Sequence, residues 1–419
     1  MIFRRLLFPN CRFFVWIYLA VAAGSSLRAE DIKARVLNGI DVLREQKFAP
    51  LAGKRVALIT NHTGLAADGT STIDLLHRSN VCKLVALFSP EHGIRGTRDE
   101  KVGSSVDEST GLPVYSLYGE TTRPTAEQLR GIDALVYDIQ DVGARFYTYS
   151  VTLAYCIEEA ARVKIPIYVL DRPNPIGGIA VEGPMLDADK ASFIGYMPLP
   201  VRHGMTMGEF ARYVNEQNHI GADLHVVAMK GWRRASFFYD TGQVWVNPSP
   251  NMRNLLEAIL YPGVCLLEGT NVSVGRGTDR PFEIVGAPWI EPVRFAAELE
   301  AARIPSVRFV PLYFTPSAST NQGIKCGGVQ MIITSPEKLN SVLVGMTLVH
   351  VLRKLYAGKF EIDRVIRLLG NAAAMNMLKD GKLPMAVLQA GQAEVSSFLV
   401  RRQKALIYGR PPNPKGGNR

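Results

Sequence analysis

The chain has 419 residues, of which 47% are hydrophobic and 21% charged. That length exceeds one ordinary core, so two domains are expected, and the composition excludes a disordered polymer. The formal net charge is +10, but no Lys/Arg block carries interleaved aromatics, which argues against nucleic acid as a partner.

Residues 1–29 read as a secretory signal. Arg4, Arg5 and Arg12 precede an apolar stretch over 13–24, and mostly small residues follow up to Ala29. About a dozen apolar residues fall short of the roughly 20 that a membrane span needs. Cleavage is therefore expected, with an exported product, periplasmic or extracellular, and no stable membrane span. It removes four arginines (Arg4, Arg5, Arg12, Arg28) and no acids, which lowers the net charge from +10 to +6. A modestly basic exported protein suits anionic polymers such as cell wall.

From 30 to 285 apolar strand-like runs alternate with helical patterns, as in βαβ units on a mostly parallel sheet. The expected strands are 56–60, 85–88, 134–137, 165–170, 224–228 and 264–267. Helical patterns lie at 73–77, 125–129, 149–162, 207–216 and 254–260. The fold class is α/β: a Rossmann-like, mostly parallel domain over 30–285, then a smaller α+β domain over 286–409. In the second, a helix is expected at 293–302, strands at 307–314 and 327–333, and a helix at 339–356. Pro311 makes 307–314 an edge strand or splits it. The Pro- and Gly-rich residues 410–419 read as a disordered tail.

Four strands deliver polar loops to one sheet edge, where open α/β sheets bind ligands. These loops carry Asn61-His62-Thr63-Gly64, Pro90-Glu91-His92-Gly93, Asp138 with Gln140 and Asp141, and Asp171-Arg172-Pro173-Asn174-Pro175. Glycoside hydrolysis needs one carboxyl as proton donor and usually a second as base or nucleophile. Glu91 is the first candidate, although a surface pair with Arg95 or Arg98 would also account for it. Glu268 is a second, with Arg276 beside it as a fork for an anionic group or as the partner that orders the loop. Asp141 is a third carboxylate, while Asp138, Gln140 and Arg145 serve a sugar or a structural network. His92, Asn61, Asn251 and Asn271 complete the candidate set, and Asn251 could equally cap the next helix. Asp171 and its prolines look structural.

Two motifs fail. Gly275-Arg276-Gly277 lacks the third glycine of a dinucleotide fingerprint, and Asn271 stands where a nucleophile elbow wants glycine. No CxxC or HExxH occurs, which argues against a zinc site, and with the dinucleotide fingerprint failing no cofactor is expected. Cys82, Cys156, Cys265 and Cys326 are far apart, and buried free thiols are the favoured reading.

The phrases VALITNHTG, LFSPEHGIRG, LVYDIQDVGARFYTY, VLDRPNPIGG, VEGP, NPSPNMRN, LEGTNVSVGRGT and KCGGVQ, in this order, resemble the exo-β-N-acetylmuramidase family. The resemblance spans roughly 38–335, with a weaker echo to about 409. It implies an exported glycoside hydrolase that removes N-acetylmuramic acid from the non-reducing ends of peptidoglycan fragments and muropeptides. It also implies a site in the cleft between a Rossmann-like domain and a smaller one. The family's proposed catalytic glutamate, in SPEHG, falls on Glu91. The second group is not assigned by the resemblance, so Glu268, Asp138 and Asp141 stay readings of this sequence. Muramic acid carries a lactyl carboxylate, which asks for a cation such as Arg276, Arg145 or Arg95. Two alternatives stand beside this: a non-catalytic exported binding protein for wall fragments, and an amidase or esterase acting through Ser273.

Overall fold

A computed structural model describes residues 35–94 and 103–409. The expected signal at 1–29, Arg95 and the tail at 410–419 lie outside the described residues.

Seven strands form the main sheet: β1 (Arg55–Thr60), β2 (Lys83–Ser89), β3 (Ser105–Val106), β4 (Pro113–Ser116), β5 (Ala134–Asp138), β6 (Ile167–Leu170) and β9 (Leu224–Val227). Their spatial order is β3-β4-β2-β1-β5-β6-β9, parallel throughout except for the β3–β4 pair. β5 and β6 are buried at every residue, the pattern of strands covered on both faces. Alternation sends Ala57 and Ile59 of β1 into one apolar cluster and Val56 and Leu58 into another. Helix α1 (Gly39–Glu45) and helix α2 (Thr72–His77) pack into the second cluster, and α3 (Tyr149–Val163) and α4 (Met207–Gln217) into the first. The chain thus winds outward from β1 in one direction through β2 and β4, then returns to β5 and winds the other way. The reversal lies between β1 and β5.

Helix α5 (Leu255–Val264) leads out of this layer. A second sheet follows, antiparallel, in the order β10 (Ile284–Ala287), β12 (Cys326–Ile333), β11 (Val307–Phe314), with α6 (Pro292–Ala301) beside it. β11 is an unbroken edge strand, which is where Pro311 can sit without losing a ladder donor. α7 (Ser341–Tyr356) crosses α5 where Gly263 meets Gly345, and a Cβ on either would overlap the other helix. Four short helices close the chain: α8 (Ile366–Leu369), α9 (Ala372–Lys379), α10 (Pro384–Ala390) and α11 (Gln392–Arg402). A two-stranded ribbon, β7 (Glu182–Met185) with β8 (Pro200–Arg202), lies outside both sheets. The described residues form one compact unit.

Two expected elements differ. Residues 264–267 are not a strand: α5 runs to Val264 and Cys265–Leu267 continue as a 3-10 turn. A short, wholly apolar run reads the same in a buried helix as in a buried strand. Residues 125–129 form turns, although Thr125 and Gln128 bond each other's backbone N–H as helix-starting residues do. Gly131, at φ 73°, ends that segment before a helix can propagate. Helix α5 is capped by Asn254, whose side chain accepts from the Glu257 N–H at 3.0 Å, and not by Asn251. The four cysteines of the described residues are free and buried. No helix among the described residues is long and apolar enough to cross a membrane.

Candidate active site

A cavity of about 690 Å³ opens beyond the carboxyl end of β2 and is closed on its far side by residues from the second half of the chain. Glu91 and Glu268 both stand on its wall. β2 ends at Ser89, and the chain then reverses through His92 (φ 71°) and Gly93 (φ 76°). A left-handed histidine costs about 1 kcal/mol or more, and such strain tends to gather at functional sites. The turn leaves Glu91 half-buried, where the Thr148 hydroxyl donates to its Oε2 at 2.5 Å. Thr148 is the residue that opens α3, so the start of that helix holds the Glu91 carboxylate.

Glu268 follows the 3-10 turn after α5. Its Oε1 accepts from Arg276 Nη1, and the Cys265 thiol donates to its Oε2 at 3.1 Å. Burial, with the charge of Glu268 next, raises the Cys265 thiol well above its ordinary value, so it stays protonated. Glu268 and Arg276 thus pair with each other, and both line the cavity.

Polar residues at the β1 end act as supports. Asn61 donates from Nδ2 to the Tyr149 hydroxyl at 3.0 Å, and that hydroxyl donates to the Pro248 carbonyl at 2.6 Å. This chain of bonds fixes the 247–252 segment, which brings Ser249 and Asn251 to the cavity. Burial, followed by the charge of Glu91, holds the Tyr149 hydroxyl far above its ordinary value, so it serves as a donor and acceptor and not as a base. His92 lines the cavity, and His62 anchors next to it with Nε2 2.6 Å from the Asn247 carbonyl. Burial lowers the His62 pKa, so the ring is neutral near pH 7.

The other candidates are placed elsewhere. Asp138 is fully buried, receives Arg172 Nε at 2.5 Å and Nη2 at 2.9 Å, and is bonded by Thr72. Asp141 is buried under the strand ends; Gly143 N–H donates to its Oδ1 at 2.7 Å, and burial pushes its pKa up to about 7. Neither aspartate lines the cavity. Arg145 is buried with its guanidinium bonded to the carbonyls of Pro184, Leu199, Leu368 and Leu369. Asn271 bridges backbone, donating to Lys359 O at 2.7 Å and accepting from Glu361 N at 3.1 Å. Ser273 is buried and its backbone pairs with Gly286, away from the cavity. Gln140 lines a second, smaller cavity.

Sequence reasoning missed the aromatic wall and one arginine. Phe146, Tyr147, Tyr261 and Phe282 form an edge-to-face run with ring centroids 4.8 to 5.8 Å apart. Only Phe146 and Tyr147 sat within a motif that pointed to function, and an aromatic in a core reads the same way. Arg367 reaches the cavity from α8 and has no hydrogen bond or ion pair among the described residues. A lone arginine in an amphipathic helix gives no signal in sequence.

The chain is similar along most of its length to known proteins. The family model described as the N-terminal part of exo-β-N-acetylmuramidase NamZ matches residues 56–256, and the C-terminal part matches 259–408. The peptidoglycan β-N-acetylmuramidase NamZ of Bacillus subtilis (strain 168) is 43% identical over 397 residues, covering 94% of this chain and 96% of that protein. Two solved proteins of the DUF1343 family from Bacteroides fragilis NCTC 9343 share the fold. One has a TM-score of 0.84 and 36% identity, covering 90% of this chain and 99% of that chain. The other has a TM-score of 0.74 and 30% identity, covering 89% and 99%. Matched along nearly its whole described length, the chain belongs to the NamZ exo-β-N-acetylmuramidase family, a family of glycoside hydrolases.

Proposed function

We propose that the protein releases N-acetylmuramic acid from the non-reducing ends of peptidoglycan fragments, with Glu91 and Glu268 as the working carboxyl groups. The observation that carries this is the pair itself: two carboxyl groups on the wall of one aromatic-lined cavity, with different partners. Glu268 is ion-paired with Arg276 and is assigned the base or nucleophile. Glu91 meets only the neutral Thr148 hydroxyl among the described residues and is assigned the proton donor. In the reaction Glu91 gives its proton to the glycosidic oxygen as the bond to the anomeric carbon breaks. Glu268 acts at that carbon, as the base that takes a proton from water or as the nucleophile that water later displaces. The aromatic wall suits a sugar ring, since pockets for small ligands are mostly apolar with a few convergent polar groups.

The lactyl carboxylate of muramic acid is assigned to Arg367, supported by Arg276. Arg367 lines the cavity with its guanidinium uncommitted among the described residues, whereas Arg145 spends its donors on carbonyls.

The test is chromophore release from a β-N-acetylmuramic acid aryl glycoside by residues 30–419. Turnover is expected, with kcat lowered about 10²- to 10⁴-fold in Glu91→Gln at unchanged circular dichroism. A folded wild-type protein that turns over neither this glycoside nor a longer fragment would overturn the reading.

Export is part of the proposal and rests on the charged, apolar and small-residue pattern of residues 1–29. Protein recovered outside the cytoplasm is expected to begin near Glu30. Full-length chain retained in the cytoplasm would contradict it.

A further inference from the structure

The main cavity carries a second group of apolar residues besides the run around Tyr261. Tyr118, Phe193 and Ile194 line it too, and none of the three has a part in the chemistry assigned above. Phe193 and Ile194 are the tip of a tight turn. It is closed by the Ser192 N–H donating to the Gly195 carbonyl at 2.9 Å and the Gly195 N–H donating to the Ser192 carbonyl at 3.0 Å. Two-residue tips ordinarily carry Gly, Asn or Asp. Here a phenylalanine and an isoleucine stand instead, both only half-buried, so the turn presents apolar surface at the cavity.

Two features of the fold put this group on the Glu91 side. Ser116 of β4 is the register partner of Ser89 of β2, and the Leu117 N–H donates to the Ser89 carbonyl at 2.8 Å. Tyr118 therefore leaves β4 beside the point where Glu91 leaves β2, each two residues past its serine. Phe193 meets Tyr118 with ring centroids 5.7 Å apart and Tyr155 at 6.2 Å. Tyr155 lies two turns of α3 beyond Thr148, which holds Glu91, and that is about 10 Å along the helix axis. The run around Tyr261 belongs instead to Glu268, since Tyr261 lies one turn before Cys265, whose thiol donates to that carboxylate.

A general acid protonates the oxygen of the leaving group, so the group that leaves lies on the acid's side of the broken bond. We propose that Tyr118 and Phe193 form the platform for the leaving sugar, the ring that follows muramic acid in the fragment. The proposal rests on Glu91 as the proton donor. The C–H face of that pyranose lies on the two aromatic rings, whose negative faces attract it, and its hydroxyls keep to the open side. Tyr118 and Phe193 touch the part of the substrate that departs and no reacting atom. They set a preference for a sugar over a small leaving group and do so through binding.

Binding at equilibrium tests this without turnover. The Glu91→Gln chain, in which cleavage is halted, is titrated by calorimetry with two ligands. One is the disaccharide N-acetylmuramyl-β-1,4-N-acetylglucosamine; the other is the methyl β-glycoside of N-acetylmuramic acid, which has no second ring. The disaccharide is expected to bind more tightly. Adding Phe193→Ala or Tyr118→Ala should weaken the disaccharide about tenfold and leave the methyl glycoside unchanged. Phe193→Tyr and Tyr118→Phe keep the rings and should bind both ligands as the parent does. Retained binding of the methyl glycoside shows that a variant is folded. Disaccharide binding no tighter than that of the methyl glycoside, equal weakening of both ligands in the two alanine variants, or no weakening in either would each overturn the proposal. If the wild-type chain cleaves neither ligand, the hydrolase reading fails, and the difference between the two affinities still decides this one.

Discussion

Arg367 and Arg276 line the same cavity, and substitution tests the separate roles proposed for them. Arg367→Ala removes only the uncommitted fork, so kcat/KM for the muramic glycoside is expected to fall about 10- to 100-fold. The N-acetylglucosamine analogue, which lacks the lactyl group, should be unchanged. Arg276→Ala also strips Glu268 of its ion pair and should slow both glycosides. Equal losses on both substrates in Arg367→Ala would remove the lactyl assignment. Asp141 makes a different prediction, about pH. Its native pKa of about 7 lies above the ordinary carboxyl value, so the folded chain holds an extra proton between about pH 4 and 7. Stability from this group is therefore greatest at low pH and is lost as pH rises through that window. Asp141→Asn should gain more stability at pH 8 than at pH 4.5, by up to about 3 kcal/mol, read from urea unfolding. His203, buried and lowered to about 3, acts in the opposite sense, and taking variant minus wild type cancels it.

Among the elements, α5 and α7 carry the site's second carboxylate, because Glu268 hangs from the turn after α5. These helices touch at Gly263 and Gly345, where a methyl group would overlap backbone. Gly345→Ala is expected to cost more than about 2 kcal/mol and to lower activity with it, since the helix must move away. Thermal unfolding measures the first effect; an unchanged Tm would mean that the crossing is looser than described. The elements most legible in the sequence were those with a strong period or an unambiguous composition. The buried strands β1, β2, β5 and β6 and the long helices α3 and α7 all fall where apolar spacing put them. The segment 264–267 did not, since four apolar residues carry no period and read alike as strand or helix. At 125–129 the capping signal was genuine, but Gly131 outweighed it.

Across the whole molecule, buried arginines tie the first half of the chain to the second. Arg145 reaches from the loop after β5 to the carbonyls of Leu368 and Leu369, beside Arg367. Arg402 at the end of α11 donates to the carbonyls of His203 and Gly204, and the Tyr408 hydroxyl donates to Asp171 at 2.6 Å. Arg145→Met leaves four carbonyls without their donor and is expected to cost about 3–5 kcal/mol. It should also raise KM for the muramic glycoside, because the segment carrying Arg367 loses its anchor. Loss of stability with KM unchanged would show that α8 is held by packing alone. Ending the chain at Lys404 removes the Tyr408 bond to Asp171 and should lower Tm.

By itself the sequence determined the α/β class, the parallel sheet, the order of the strand-end loops and the family, because periodicity and motif order are properties of neighbours along the chain. It also offered Glu91, whose loop follows directly from a strand end, and left Arg276 either as the partner of Glu268 or as a fork for an anion. Only the tertiary structure decided which charged residues share a cavity. Asp141 and Arg145 sit in a motif as suggestive as that of Glu91, yet burial assigns them to the frame. Arg367, with no motif around it, reaches the site because α8 folds back across the strand ends. The physical reason is that burial, charge partners and access to a ligand depend on contacts between distant segments, which no local pattern records.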